Sequence, residues 1–178
     1  MMMSKITCFI GLGGNISNEL GSPVDHIRHA VQAFENAEDF SNVVVSSLYR
    51  SAAYGVTDQP DFYNAVLMAQ TTLEPLALLD FCQSLEQGAG RVRLRHWGER
   101  SLDVDVLLYG DQHIDTERLT VPHRELYLRN FVLIPLLEIA PSTQINGAPL
   151  ADLPAAKDMA GIEILTDTSI KGIHDAVI

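Results

Sequence analysis

The chain has 178 residues and 47% apolar content, enough for one core with room for a tail. Its net charge of −11 excludes a general nucleic-acid binder, which needs a basic face to neutralise phosphates. The positive charge is unevenly placed, because seven of the 12 Lys and Arg residues lie between positions 91 and 129, and all seven are Arg. Arginine grips phosphate through paired hydrogen bonds, so this stretch is expected either to attract a compact polyanion or to form a solvated basic face.

Residues 6–12 (ITCFIGL) predict a buried strand, ended by the turn formers Gly13, Gly14 and Asn15. This run is too short to span a membrane and has no small-residue cleavage site, so a cytoplasmic protein without membrane attachment is expected. Cys8 and Cys82 sit in apolar segments without metal-ligand spacing and read as buried free thiols in a reducing compartment. Over 23–34, Val24, Ile27, Ala30, Val31 and Phe34 recur at spacings of three and four, the pattern of a one-faced helix. Residues 42–50 (NVVVSSLYR) are β-branched and aromatic and predict a second strand.

A loop over 51–61 leads to a third strand over 62–72. Pro75 opens a second helix where its missing N–H costs nothing, with Leu76, Leu79 and Leu85 expected to face the core and Gly88 and Gly90 to end it. An arginine-rich loop runs to Arg100, and residues 101–109 alternate as a fourth strand. Gly110-Asp111 predicts a hairpin turn into a short strand, and residues 129–139 carry helical spacing until Pro141. The order strand, helix, strand, strand, helix, strand predicts an α+β, ferredoxin-like antiparallel sheet with helices packed on it. Residues 1–141 form the expected domain, and 142–178 a C-terminal extension with weaker patterning and no interpretable motif.

The chemistry concentrates in Arg100-Ser101-Leu102-Asp103-Val104-Asp105-Val106. On a strand, residues two apart share a face, so Asp103 and Asp105 point one way while Leu102, Val104 and Val106 point the other. Two carboxylates side by side need a cation between them, and Mg²⁺ held by one or two carboxylates and substrate phosphates suits the pair. An exposed edge strand with two solvated acids is the alternative.

The segment His96-Trp97-Gly98-Glu99-Arg100-Ser101-Leu102-Asp103-Val104-Asp105-Val106-Leu107 resembles the signature of the 6-hydroxymethyl-7,8-dihydropterin pyrophosphokinases, a folate-pathway family. The similarity extends, in order, through Ser47-Leu48-Tyr49-Arg50, Asp58-Gln59-Pro60-Asp61-Phe62-Tyr63-Asn64-Ala65, Leu85-Glu86, Gly90-Arg91-Val92-Arg93 and Glu117-Arg118-Leu119-Thr120-Val121-Pro122-His123, and covers residues 6–141. It implies transfer of pyrophosphate from ATP to the hydroxymethyl oxygen of the pterin, leaving AMP, by in-line displacement with two Mg²⁺ ions on the triphosphate. On this resemblance Asp103 and Asp105 are the metal ligands, and Arg91 and Arg100 join them as catalytic residues that contact the phosphates.

The same resemblance puts Gln83, Glu86, Arg93, Val106, Arg118, Thr120, His123 and Arg129 on the ATP side. It puts Ser51, Ala52, Tyr54, Phe62, Asn64, Trp97 and Phe131 on the pterin side, with Phe62 and Phe131 stacking on the flat ring and Asn64 matching its amide-like edge. Gly13-Gly14-Asn15 is similar to the family's Gly-Ser-Asn and reads as a tight turn supporting the site. The chain departs from the family pattern at Arg124, where an aromatic is expected, and in a loop over 91–97 about one residue short. The segment 90–100 is expected to be mobile when empty and to close on the polyphosphate, carrying Trp97 towards the pterin.

Partners are then ATP and the pterin, with no nucleic acid and no membrane, and a monomer is expected. The competing reading is a non-catalytic ligand- or RNA-binding module on the same topology, although the acidic strand around Asp103 opposes the RNA version. A transferase with the same mechanism and another heterocyclic acceptor is a further alternative.

Overall fold

The apolar run near the N-terminus becomes the middle of a sheet. In the computed structural model, which describes residues 4–51, 60–90, 101–166 and 169–170, β1 (Ile6–Gly14) has an antiparallel neighbour on each side. These are β4 (Phe62–Thr71) and β5 (Asp103–Tyr109). Beyond β4 lies β3 (Leu48–Ser51), so the path β3-β4-β1-β5 is the ferredoxin-like order expected from the sequence.

Two helices cover one face. α1 (Pro23–Asn36) starts in a capping box in which Ser22 Oγ accepts the Asp25 N–H and the Asp25 carboxylate accepts the Ser22 N–H. It buries Ile27, Ala30, Val31 and Phe34 as its spacing predicts. α2 (Pro75–Gly88) buries Leu78, Leu79 and Cys82, but Leu76 is 45% exposed. Leu76 and Leu78 are two residues apart and so point to nearly opposite sides of a helix, and only one can face the sheet. Cys8 and Cys82 are both buried free thiols in this core, and burial pushes the Cys8 thiol up to about 12.

The predicted strand over 42–50 is two strands, β2 (Phe40–Val45) and β3, which both pair with β4. Ser46 and Ser47 break it, because Ser47 gives its N–H and its hydroxyl to the carboxylate of Glu138 on the third helix instead of to the ladder. The turn at Gly110 forms, with Gln112 N–H donating to Tyr109 O, but no hairpin follows. β6 (Ile114–Asp115) pairs with β7 (Thr120–Val121), while the open edge of β5 receives the returning chain through His123 N–H and Leu107 O, 2.9 Å apart.

α3 (Asn130–Ile139) covers the other face of the sheet, with Leu133 and Leu136 packed among Phe9, Val66, Leu107, Leu108 and Leu126. The chain beyond it is not peripheral. β8 (Gln144–Ile145) and β9 (Ala148–Pro149) make a small hairpin, and Leu150 then enters the α3 core. β10 (Ile162–Leu165) adds a further strand beside β3. Among the described residues no helix is long and apolar enough to cross a membrane.

Candidate active site

Directly paired residues of antiparallel strands share a face. Across the middle of the sheet, Gly13 pairs with Asn64 on β4 and with Asp103 on β5, and Gly11 pairs with Val66 and Asp105. Their neighbours Ile10, Leu12, Val104 and Val106 are buried in the core that also holds α1 and α2. The glycines, Asn64 and the two aspartates therefore face the α3 side.

A bulge decides that outcome. Phe9 pairs with Leu108, yet Ile10 pairs with Val106, which leaves Leu107 as an extra residue on β5. Without it the register would put Asp103 and Asp105 opposite Gly14 and Leu12, on the helix side of the sheet. The bulge turns both carboxylates into a cavity of ≈ 180 Å³ between the sheet and α3.

The floor of that cavity is open because of glycine. A Cβ on Gly13 would sit 2.6 Å from Asn64 Oδ1, inside any tolerable contact. This corrects the turn expected at Gly13-Gly14-Asn15, since both glycines are the extended end of β1. Buried Asn15 follows them, and its side-chain amide donates to Pro60 O at 3.1 Å, tying the strand end to the chain that enters β4. The Asn64 amide donates to Ser51 Oγ at 3.4 Å, and Ser51 lines the same wall. Phe62 lines the cavity from the start of β4 and Phe131 from the first turn of α3. Arg129 lies beside them, paired with Glu125, its guanidinium carbon 5.5 Å from the Phe131 ring centroid.

A second cavity adjoins the first and shares Asp105 and His123 with it. Val106, Arg118, Thr120 and Arg124 also line it. His123 Nδ1 accepts the Glu125 N–H at 3.2 Å, so in the neutral ring Nε2 carries the proton and is a donor. Arg118 donates to Asp80 Oδ1 at 2.6 Å and to Gln83 Oε1 at 3.2 Å, which joins two residues of the expected ATP side. Gln83 and Glu86 line neither cavity. Buried Glu86 accepts the Val104 N–H at 2.9 Å and so grips β5 between the two aspartates.

Ala52, Tyr54, Arg91, Arg93, Trp97 and Arg100 lie outside the described residues, as does all of the expected lid over 90–100 except Gly90. Gly11 and Leu107 line the cavity without having been foreseen as site residues, and Gly13, expected only in a supporting turn, lines it as well. The signal for the glycines was two of them alternating inside an otherwise apolar strand, which marks a close approach.

Two half-buried carboxylates give hard oxygen donors on one wall. Among the described residues no group of three or more His, Cys, Asp or Glu gathers to hold an ion by itself. Such a pair fits Mg²⁺, which binds through one or two carboxylates together with substrate phosphates.

Comparison with known proteins identifies the family. The family model described as 7,8-dihydro-6-hydroxymethylpterin-pyrophosphokinase (HPPK) matches residues 9–141. A 2-amino-4-hydroxy-6-hydroxymethyldihydropteridine pyrophosphokinase of Haemophilus influenzae is 47% identical over 145 residues, 79% of this chain and 88% of its own. The protein of the same name from Pseudomonas aeruginosa is 44% identical over 158 residues, 88% of this chain and 95% of its own. Among solved structures, wild-type Plasmodium falciparum HPPK-DHPS matches 87% of this chain with a TM-score of 0.63 at 14% identity. An HPPK-DHPS in complex with substrates matches 94% with a TM-score of 0.66 at 10% identity. This chain spans 41% and 47% of those two solved chains, and at such identities the likeness concerns the fold. The chain belongs to the 7,8-dihydro-6-hydroxymethylpterin-pyrophosphokinase family.

Proposed function

We propose that this chain transfers pyrophosphate from ATP to the hydroxymethyl oxygen of 6-hydroxymethyl-7,8-dihydropterin, releasing AMP, in folate biosynthesis. The observation that carries the reading is the row Asn64–Gly13–Asp103, in which an amide suited to a heterocycle edge and a metal-binding carboxylate share one glycine floor. The pterin lies in the first cavity, with its edge on Asn64 and its ring against Phe62 and Phe131. The triphosphate reaches Asp103 and Asp105 from the second cavity, which meets the first at Asp105 and His123.

Mg²⁺, as two ions bound with the triphosphate, would neutralise charge on the attacking and leaving oxygens together. Asp103 and Asp105 would hold those ions on the face of the sheet that also carries Asn64. His123 Nε2–H and Arg129 supply donors to phosphate oxygens, and Arg118, steadied by Asp80 and Gln83, supplies another from the nucleotide side. Arg91 and Arg100 complete the phosphate contacts in this reading, with Arg93 on the ATP side and Ala52, Tyr54 and Trp97 on the pterin side. Every named group comes from one chain, so a monomer suffices.

The test is product analysis. Incubation with Mg-ATP and the hydroxymethyl-dihydropterin should give AMP and the pterin diphosphate in equal amounts. ADP as the main nucleotide product would overturn the proposal.

A further inference from the structure

α3 starts at the wall of the first cavity, and its first residue is anchored elsewhere. Asn130 is 7% exposed, and its side-chain amide donates to Asp158 O at 2.8 Å and to Ala160 O at 3.0 Å. Both carbonyls belong to a turn shaped by Asp158, whose carboxylate accepts the Ala160 N–H at 2.9 Å. Two residues further on β10 begins, and Ile162 pairs with Ser51, the last residue of β3. Ser51 lines the cavity and accepts the hydrogen bond of Asn64. The short stretch 158–162 of the C-terminal extension thus fastens the helix that carries Phe131 and the strand that carries Ser51.

We propose that Asn130 is a positioning residue for the pterin cavity: through the turn at 158–160 it fixes the start of α3, and so Phe131, relative to Ser51 and Asn64 on the opposite wall. The inference rests on the pterin reading above. An amide is the neutral side chain of this size that offers two hydrogens from one atom, and the two carbonyls need both. If those bonds are lost, the buried Asn130 side chain no longer ties the helix start to the turn, and the two carbonyls, which belong to exposed residues, turn to water. Phe131 is the next residue, so the cavity wall moves with the helix start. The second cavity is lined from α2, β5 and the segment 118–125, none of which touches Asn130 through a described hydrogen bond, so apart from Arg129, which precedes Asn130 and is held by Glu125, the nucleotide contacts should change little.

The experiment compares full-length N130D, N130S and D158A with the parent chain. Calorimetry follows 6-hydroxymethyl-7,8-dihydropterin binding at saturating Mg²⁺ and non-hydrolysable ATP analogue, and analogue binding alone, with thermal midpoints recorded alongside. N130D puts an acceptor opposite two carbonyls and should raise the pterin Kd about tenfold, whereas N130S keeps one donor and should raise it about threefold. D158A removes the bond that shapes the turn and should fall between them. The analogue Kd should stay within about threefold, and kcat at saturating pterin should do the same, so the loss appears in KM for the pterin. N130S and D158A carry the test if N130D fails to fold. Pterin binding unchanged in N130S and D158A overturns the inference, and so does an equal loss for both ligands, which marks general loosening. Absence of pterin binding by the parent chain would instead overturn the proposed function and this inference with it.

Discussion

Asp103 and Asp105 lie on the cavity face, and not in the helix-side core, because β5 carries one extra residue at Leu107. In the proposed reaction each carboxylate contributes a charge that a bound Mg²⁺ needs, and an amide of the same shape does not. D103N and D105N should therefore each lower turnover by about two orders of magnitude while the thermal midpoint holds, because removing a metal ligand removes electrostatic stabilisation and not packing. Near-normal activity of both variants at limiting Mg²⁺ would refute the assignment. Gly13 has a different role, as an absence. G13A puts a Cβ 2.6 Å from Asn64 Oδ1, so the amide must swing away from the pterin edge. KM for the pterin should rise about tenfold, with KM for ATP unaltered, as expected when a hydrogen-bonding group of a polar site loses its place. Steady-state kinetics with each substrate varied in turn will show whether the loss is confined to the pterin.

At the scale of elements, α3 is held at both ends. Asn130 fastens its start, and at its last turn the Glu138 carboxylate accepts the Ser47 N–H, the Ser47 hydroxyl at 2.8 Å and the Tyr49 hydroxyl at 2.6 Å. Burial, with the Glu138 carboxylate beside it, raises the Tyr49 pKa, so Tyr49 stays a donor through the neutral range. E138A would leave three donors without their acceptor, one of them on the buried Tyr49, and should cost about 1–3 kcal/mol of stability in urea unfolding. A change below about 0.5 kcal/mol would mean that the clamp is satisfied by water. The split of 42–50 at Ser46-Ser47 follows from the same clamp. β-branched residues on both sides suggested one strand, and the two serines were too weak a local signal to break it, because their partner lies about ninety positions away.

Across the whole molecule, Cys8, Cys82, Tyr49 and Tyr109 all have raised pKa values, chiefly through burial. Each acid stays protonated in the folded chain at a pH where the unfolded chain has begun to ionise it. Unfolded thiols lose their protons near 9.0 and phenols near 10.0. Above about pH 9 the unfolded state therefore binds fewer protons than the folded one, and stability must fall as pH rises. The contribution of these groups is fully present below that pH. Urea midpoints should be level between about pH 7 and 8 and should decline progressively by about pH 10.5. A flat profile would mean that these side chains reach water in the native state.

Much of the fold was legible in the residues because it rests on local periodicity. The three- and four-residue spacing of α1, the order of strands and helices, and the shared face of Asp103 and Asp105 all follow from repeats of 3.6 and 2.0. The ordered motif blocks added the family. What only the tertiary structure decided are relations between distant strands. The face on which the aspartates lie depends on a bulge against β1, a property of the pair that the alternation in β5 cannot show. The glycine at 13 is explained by Asn64, fifty-one positions away in sequence and directly opposite in the sheet. β10 is four residues long, and its place beside β3 was not legible in the sequence, because so short an edge strand carries no period of its own and is defined by the neighbour it pairs with. Periodicity is written in a segment alone, whereas register, bulges and edge pairing are properties of two segments together, and they exist only once the chain has brought those segments into contact.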